Sequence, residues 1–400
     1  MELNTSTLEE TVALEERYQL ATYKKMPVAA ARGERVWIYT SDGERYLDLY
    51  GGHAVAGTGH SHPRVVAAIR EQAEKLLFYS NLVYSETRAR AAQKLVSIAP
   101  QTLTKVFFCN SGTEANENAM RMARMSTGRE NIISFSGGFH GRTADSISAT
   151  FLGKYRQIGR PNVPGHLEAE FGDLESVRSL ADKSVAAVIL EPVQSMAGVR
   201  LADPQFYRGL RQLCDEQGIV LIYDEVQTGA GRTGHWFFSG SEAGAGVLPD
   251  IITLAKALGS GIPVGACLVT EKISSRIKEN DLGTTFGGGM IAMAAVTSTL
   301  EVIEEDGLLE NVRRVEAHLR GRLAEVPEVA SVRGLGFLLG LEFKGTAAPI
   351  HQALLKRRII TGTSSAPNVL RLLPPLCLRL LEADIFIDAI REILASETRP

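Results

Sequence analysis

Apolar and polar positions alternate first in two short runs, Arg35–Thr40 and Arg45–Leu49. They flank Ser41-Asp42-Gly43, a turn sequence, so the spacing predicts a β-hairpin. From about residue 62 the period changes. His62-Pro63 opens a helix, with Val66, Ile69, Ala73 and Leu77 at helical spacing. Lys105–Cys109, Val185–Leu190, Ile219–Tyr223 and Val264–Val269 are short and apolar throughout, as buried strands are. Asp203-Pro204 starts another helix (Phe206, Leu210, Leu213), and Gly218 stops it. Apolar strands alternating with helices predict an α/β fold whose mostly parallel sheet is covered on both faces. After about residue 305 the order becomes helix, short strands, helix, which predicts a smaller α+β unit. The expected division is an N-terminal segment (1–61), a large α/β domain (62–304) and a C-terminal α+β domain (305–400).

Composition narrows the function classes. The chain has 400 residues, with 43 basic against 46 acidic side chains and a net charge of −3, so no basic excess points to nucleic acid. No run of about 18 apolar residues marks a membrane span. The acidic start, MELNTSTLEETVALEERY, lacks the pattern of a signal peptide. Cys109, Cys214, Cys267 and Cys377 lie far apart without a CxxC, which fits a reducing cytosol better than a disulfide or zinc framework.

In such sheets, ligands gather outside the carboxyl ends of the strands. After the strand ending at Cys109, Asn110–Glu117 (NSGTEANE) runs into a helix with Ala119, Met122 and Ala123. Ser111, Gly112 and Thr113 there form either an anion site or an ordinary cap, the cap being the commoner meaning. Glu191 and Asp224 directly follow apolar strands, where a carboxylate is costly to desolvate without a partner. Gly229–Gly234 matches GxGxxG, but no helical period follows it, so a dinucleotide site is not expected. His60-Ser61-His62 fits turn and cap roles rather than a metal. Lys256 stands alone among apolar and small residues; it is either a lysine snorkelling from a helix surface or a desolvated amine nucleophile. Together an anion cradle, a strand-end acid, an isolated lysine and an aromatic before His-Gly-Arg (Phe139–Arg142) match the phosphate, ring nitrogen, aldehyde and ring face of pyridoxal 5′-phosphate (PLP).

These motifs resemble those of class III (ω-amino acid) aminotransferases of PLP fold type I, acetylornithine and ornithine aminotransferases above all. The resemblance runs from about Thr22 to about Leu394 and rests on NSGTEANE (110–117), FHGRT (139–143), EPVQ (191–194), DEVQTGAGRTG (224–234), TLAKALGSGIPVGA (253–266), TTFGGG (284–289) and VLRLLPPL (369–376). It implies that Lys256 joins the PLP aldehyde and later carries the proton, and that Asp224 keeps the ring nitrogen protonated. Phe139 would stack on the ring beside His140, with Val226 on the other face and Gln227 at the ring hydroxyl. Ser111, Gly112 and Thr113 would hold the phosphate, Glu191 would orient the network, and Thr285 would reach the phosphate of a neighbouring subunit in a homodimer. Arg142 and Arg371 would clamp substrate carboxylates, and no metal is implied.

The implied reaction is ping-pong transfer of an amino group from an acetylornithine-like donor to 2-oxoglutarate. Other donors (ornithine, 4-aminobutyrate, a carrier-linked lysine precursor, a dicarboxylic or other α-amino acid), an aminomutase or a non-catalytic PLP-fold binding protein are the alternatives. Three positions depart from the pattern. Met196 stands where many relatives have a Glu that pairs with the counterpart of Arg371. His53 stands where a Tyr or Ile often contacts substrate, and Gly289 replaces an Asn. Without that Glu, Arg371 lies open to a carboxylate in both half-reactions.

Overall fold

The computed structural model describes residues 7–158 and 160–397. Its centre is a seven-stranded sheet in the spatial order Leu103–Cys109, Gly265–Thr270, Ile251–Leu254, Val220–Asp224, Val185–Leu190, Asn131–Phe135 and His166–Ala169. Gly265–Thr270 runs antiparallel to both neighbours and the other pairings among the remaining strands are parallel. Val185–Leu190 and Val220–Asp224 are buried at every position, so both faces of the sheet are covered. The sequence does not reveal the reversed strand, because burial on two faces erases the alternation that would mark it.

The helix Gly112–Thr127 crosses under this sheet. Ser111 caps its start by accepting from the Glu114 N–H, and Gly128 ends it at φ 69°. Its inner stripe, Ala115, Asn116, Ala119, Met120 and Ala123, is mostly small and lets the helix lie close to the strands.

The predicted hairpin is part of a larger sheet. Ala30–Glu34, Trp37–Thr40 and Arg45–Asp48 form an antiparallel meander, and Ile359–Ile360 adds a parallel strand beside Arg45–Asp48. The C-terminal part holds a second four-stranded sheet, Val329–Leu335, Leu338–Phe343, Val369–Leu372 and Gly362–Thr363, packed with Leu308–Ala324 and Leu380–Glu397.

The helix opened by His62-Pro63 spans Pro63–Lys75 and buries Val65. Val66 and Leu77, expected on its inner stripe, are exposed, because the packed face is rotated by one residue and the chain turns extended at Leu76. Gly229–Gly234 forms turns with Gly231 and Gly234 at positive φ, and no helix opens there. Among the described residues, no helix is long and apolar enough to cross a membrane.

Candidate active site

The carboxyl ends of Leu103–Cys109, Val185–Leu190, Val220–Asp224 and Ile251–Leu254 open into one cavity of about 580 Å³. Ser111, Gly112, Thr113, Phe139, His140, Arg142, Glu191, Met196, Asp224, Val226, Gln227, Lys256, Arg371 and His53 all line it. Thr285 does not: it is exposed, away from the cavity of its own chain.

Asp224 is the last residue of its strand and is 4% exposed. Its Oδ2 accepts from Asn116 Nδ2 at 2.7 Å and lies 2.8 Å from His140 Nδ1. Its Oδ1 accepts from the Val226 N–H. Asn116 is fixed in turn by Thr253, whose hydroxyl donates to Asn116 Oδ1 at 2.7 Å and which sits in register with Asp224 on the adjacent strand. A carboxylate held by this many donors keeps its direction. Asn116 was not singled out from the sequence; the signal for it was its place on the inner face of the helix that NSGTEANE begins.

Lys256 follows the strand Ile251–Leu254 and starts a short 3₁₀ turn. Its φ of 43° is the left-handed region, a strained setting for a non-glycine residue and one that gathers at functional sites. Lys256 is half-buried, opening into the cavity. Burial lowers its amine pKa, with Arg371 acting in the same direction and Asp224 and Glu191 opposing. A snorkelling surface lysine would show none of this. Glu191 is pushed up to about 7 by burial and by Asp224, and its Oε1 accepts from the Phe139 N–H at 2.8 Å. That bond fixes the start of the Phe139–Arg142 segment over the cavity.

On the other side, Ser111, Gly112 and Thr113 present the first turn of Gly112–Thr127, whose N–H groups have no intrahelical partner. A Cβ on Gly112 would lie 2.8 Å from Val226 Cγ1, so only glycine allows this approach. Thr113 Oγ1 pairs with Thr143 Oγ1 at 2.7 Å.

Arg371 sits on the inner strand Val369–Leu372 of the C-terminal sheet, 5% exposed. Its Nε donates to the Thr363 carbonyl (2.6 Å), Nη1 to Ser195 Oγ (3.0 Å) and Nη2 to the Tyr50 hydroxyl (2.7 Å). All three acceptors are neutral, and burial lowers its pKa. Met196 follows Ser195 on the same wall, with no charge to offer. Arg142 is exposed and lies over the Tyr155 ring, 5.0 Å from its centroid. Tyr50 and Ser195 were also missed by sequence reasoning; both are neutral side chains, Tyr50 directly after the run Arg45–Leu49 and Ser195 directly after EPVQ.

The residues fit PLP. The helix start suits a phosphate dianion, Asp224 a protonated ring nitrogen, and Lys256 an aldehyde. His140 Nε2 and Gln227 Oε1 are buried without a partner among the described residues, as groups awaiting a ligand would be.

Comparison with known proteins agrees. The family described as Aminotransferase class-III matches residues 18–394. The acetylornithine aminotransferase of Methanopyrus kandleri is 43% identical over 90% of this chain and 92% of its own. That of Archaeoglobus fulgidus is 41% identical over 94% of this chain and 97% of its own. The ornithine aminotransferase of Toxoplasma gondii, whose active site holds PLP at partial occupancy, superposes with a TM-score of 0.91 at 27% identity, covering 99% of this chain and 96% of its own. The family match spans nearly the whole chain, and the chain therefore belongs to the class-III aminotransferases and is a PLP-dependent aminotransferase.

Proposed function

We propose that this aminotransferase moves the terminal amine of an acetylornithine-like amino acid to 2-oxoglutarate. The observation that carries the reading is a half-buried lysine beside two acids at the cavity floor, with two arginines at its walls that pair with no carboxylate among the described residues. Arginine grips a carboxylate with a planar fork, so a cavity with two such forks suits substrates that bring carboxylates. The named activity of the two archaeal relatives supports the choice of donor.

PLP, when bound, supplies an aldehyde that takes up amines and a ring that withdraws electrons from the adjoining carbon. In this reading Ser111, Gly112 and Thr113 hold its phosphate through backbone N–H groups and the helix dipole. Asp224 keeps a proton on the ring nitrogen, and Asn116 and His140 keep Asp224 aimed. Phe139, Val226 and Gln227 position the ring from its faces and edge. Lys256 Nζ, its pKa lowered by burial, would take the proton from the donor's amine-bearing carbon and return it to the carbon that PLP brings as its aldehyde. Arg142 and Arg371 orient the substrate by its carboxylates, so the same proton path serves both half-reactions.

The reading extends to assembly. Thr285 lies outside its own cavity, next to Phe286 (65% exposed), and Leu82 and Tyr84 nearby in the chain's 76–84 stretch are fully open to solvent. Phe286 also meets the Phe78 ring at 5.1 Å, which brings it against this exposed stretch. Such a patch marks an interaction surface. A homodimer that covers it and brings Thr285 to the partner's phosphate cradle accounts for both facts. Buried, unpaired cysteines accord with a cytoplasmic setting.

The test is direct. Purified protein with PLP, N-acetylornithine and 2-oxoglutarate should form glutamate with ping-pong kinetics. Borohydride reduction followed by peptide mapping should tag Lys256, and Lys256→Ala should lose about 10²–10⁴-fold in kcat. A tag on any other lysine overturns the assignment.

A further inference from the structure

Tyr50, His53 and Arg371 form a chain of hydrogen bonds with one direction fixed at its start. Arginine has donors only, so Arg371 Nη2 donates to the Tyr50 oxygen at 2.7 Å. The phenol still has its own proton to donate, and His53 Nδ1 lies 3.0 Å from the same oxygen, in place to accept it or to donate, according to its tautomer. Tyr50 is buried and its pKa is raised by that burial, so it keeps this proton at neutral pH. If Nδ1 accepts, the ring proton of neutral His53 sits on Nε2. Burial lowers the His53 pKa, and the charges that act on it, Arg371, Lys256 and Arg142, all lower it further.

The backbone holds this histidine in place at a cost. Gly51, Gly52, His53 and Ala54 all have positive φ, a full left-handed turn. The left-handed region strains each non-glycine residue there. Asp48 Oδ1 ties down the start of the turn by accepting from the N–H groups of Tyr50 and Gly51. Strain retained beside a binding cavity calls for a return at that cavity.

We propose that His53 selects the amino donor by offering a neutral Nε2–H to an acyl or carboxylate oxygen at the donor's far end. This rests on the transaminase reading above and deepens it. A free diamino acid would bring an ammonium group to the same place. It would meet an N–H donor and the guanidinium groups of Arg371 and Arg142, with no acid among the charges acting on His53. Met196 adds none. Acylation removes that ammonium and supplies the missing acceptor in its place. The site thus chooses by repelling the free amine as well as by binding the acyl group.

The test compares kcat/KM for N-acetylornithine and ornithine, each with 2-oxoglutarate and PLP-loaded protein. The expected preference is about 100-fold or more for the acetylated donor. His53→Leu should cut that preference about tenfold through KM, while His53→Gln, which keeps an N–H donor, should retain most of it. A histidine ¹⁵N spectrum of the holoenzyme should show the His53 signal as the neutral Nε2–H form. Ornithine preferred by the wild-type protein, a leucine variant within about twofold of wild type in preference, or a His53 protonated on Nδ1 overturns the proposal. No glutamate from any donor instead overturns the transaminase reading on which it stands.

Discussion

Asp224 and Glu225 are neighbours in sequence with opposite surroundings. Asp224 faces donors and the cavity; Glu225 turns the other way, 1% exposed, accepting from the Phe238 N–H and the Thr228 hydroxyl. Burial pushes the Glu225 carboxyl up to about 8. A carboxyl raised above its unfolded value stabilises the fold fully at pH below the usual carboxylate range. That contribution fades as pH rises towards about 8. Glu225→Gln should therefore flatten the fall in Tm between about pH 5 and about pH 9, read by thermal melts across buffers. At this scale the sequence exposed charged and aromatic residues well, since each stands out against an apolar strand. It hid Asn116, Tyr50 and Ser195, because a neutral polar residue acts only through the partner the fold brings to it. It also left Lys256 ambiguous. The left-handed φ and the desolvation that separate it from a surface lysine belong to the folded backbone and not to the local pattern.

The helix Gly112–Thr127 shows what one element contributes. Its cap sets the cradle, its inner Asn116 braces Asp224, and its stripe of small residues seats it against the sheet. The contact of Gly112 with Val226 is tight enough that Gly112→Ala should weaken PLP binding. Overpacking of this kind costs about 1–3 kcal/mol, or roughly 5- to 150-fold in affinity. Val226→Ala on the same background should restore much of it by returning the space, and fluorescence titration with PLP would measure both. The strands at Val185–Leu190 and Val220–Asp224 were plain in the sequence as unbroken apolar runs. Asn131–Phe135, His166–Ala169 and Ile251–Leu254 were not, being short and interrupted by buried polar residues such as Ser134 and Thr253, the second of which bonds Asn116. The helix Pro63–Lys75 shows the limit of a stripe read by spacing alone: a rotation of one position exchanges Val66 for Val65 in the core.

Across the whole molecule, the cavity draws its walls from distant parts of the chain. His53 comes from the N-terminal stretch, Ser111 to Lys256 from the central sheet and Arg371 from the C-terminal sheet. The apolar patch at Leu82, Tyr84 and Phe286 adds a question of assembly. Leu82→Asp with Tyr84→Asp should shift the protein from dimer to monomer in light scattering and lower activity together with it. A monomeric wild-type protein with full activity would remove the shared-site reading.

The parallel pairing of Ile359–Ile360 with Leu47–Asp48 carries a consequence for how the protein is made. The carboxylate of Asp48 anchors the left-handed turn, yet the strand beside it lies far further along the chain. A nascent polypeptide therefore has to keep the Arg45–Asp48 side of its first sheet open until Ile359–Ile360 has been made. Strand edges left open invite association with other chains. Expression of a chain ending before Ile359 should give aggregates, and a synthetic peptide covering the missing stretch, supplied during refolding, should raise the soluble yield.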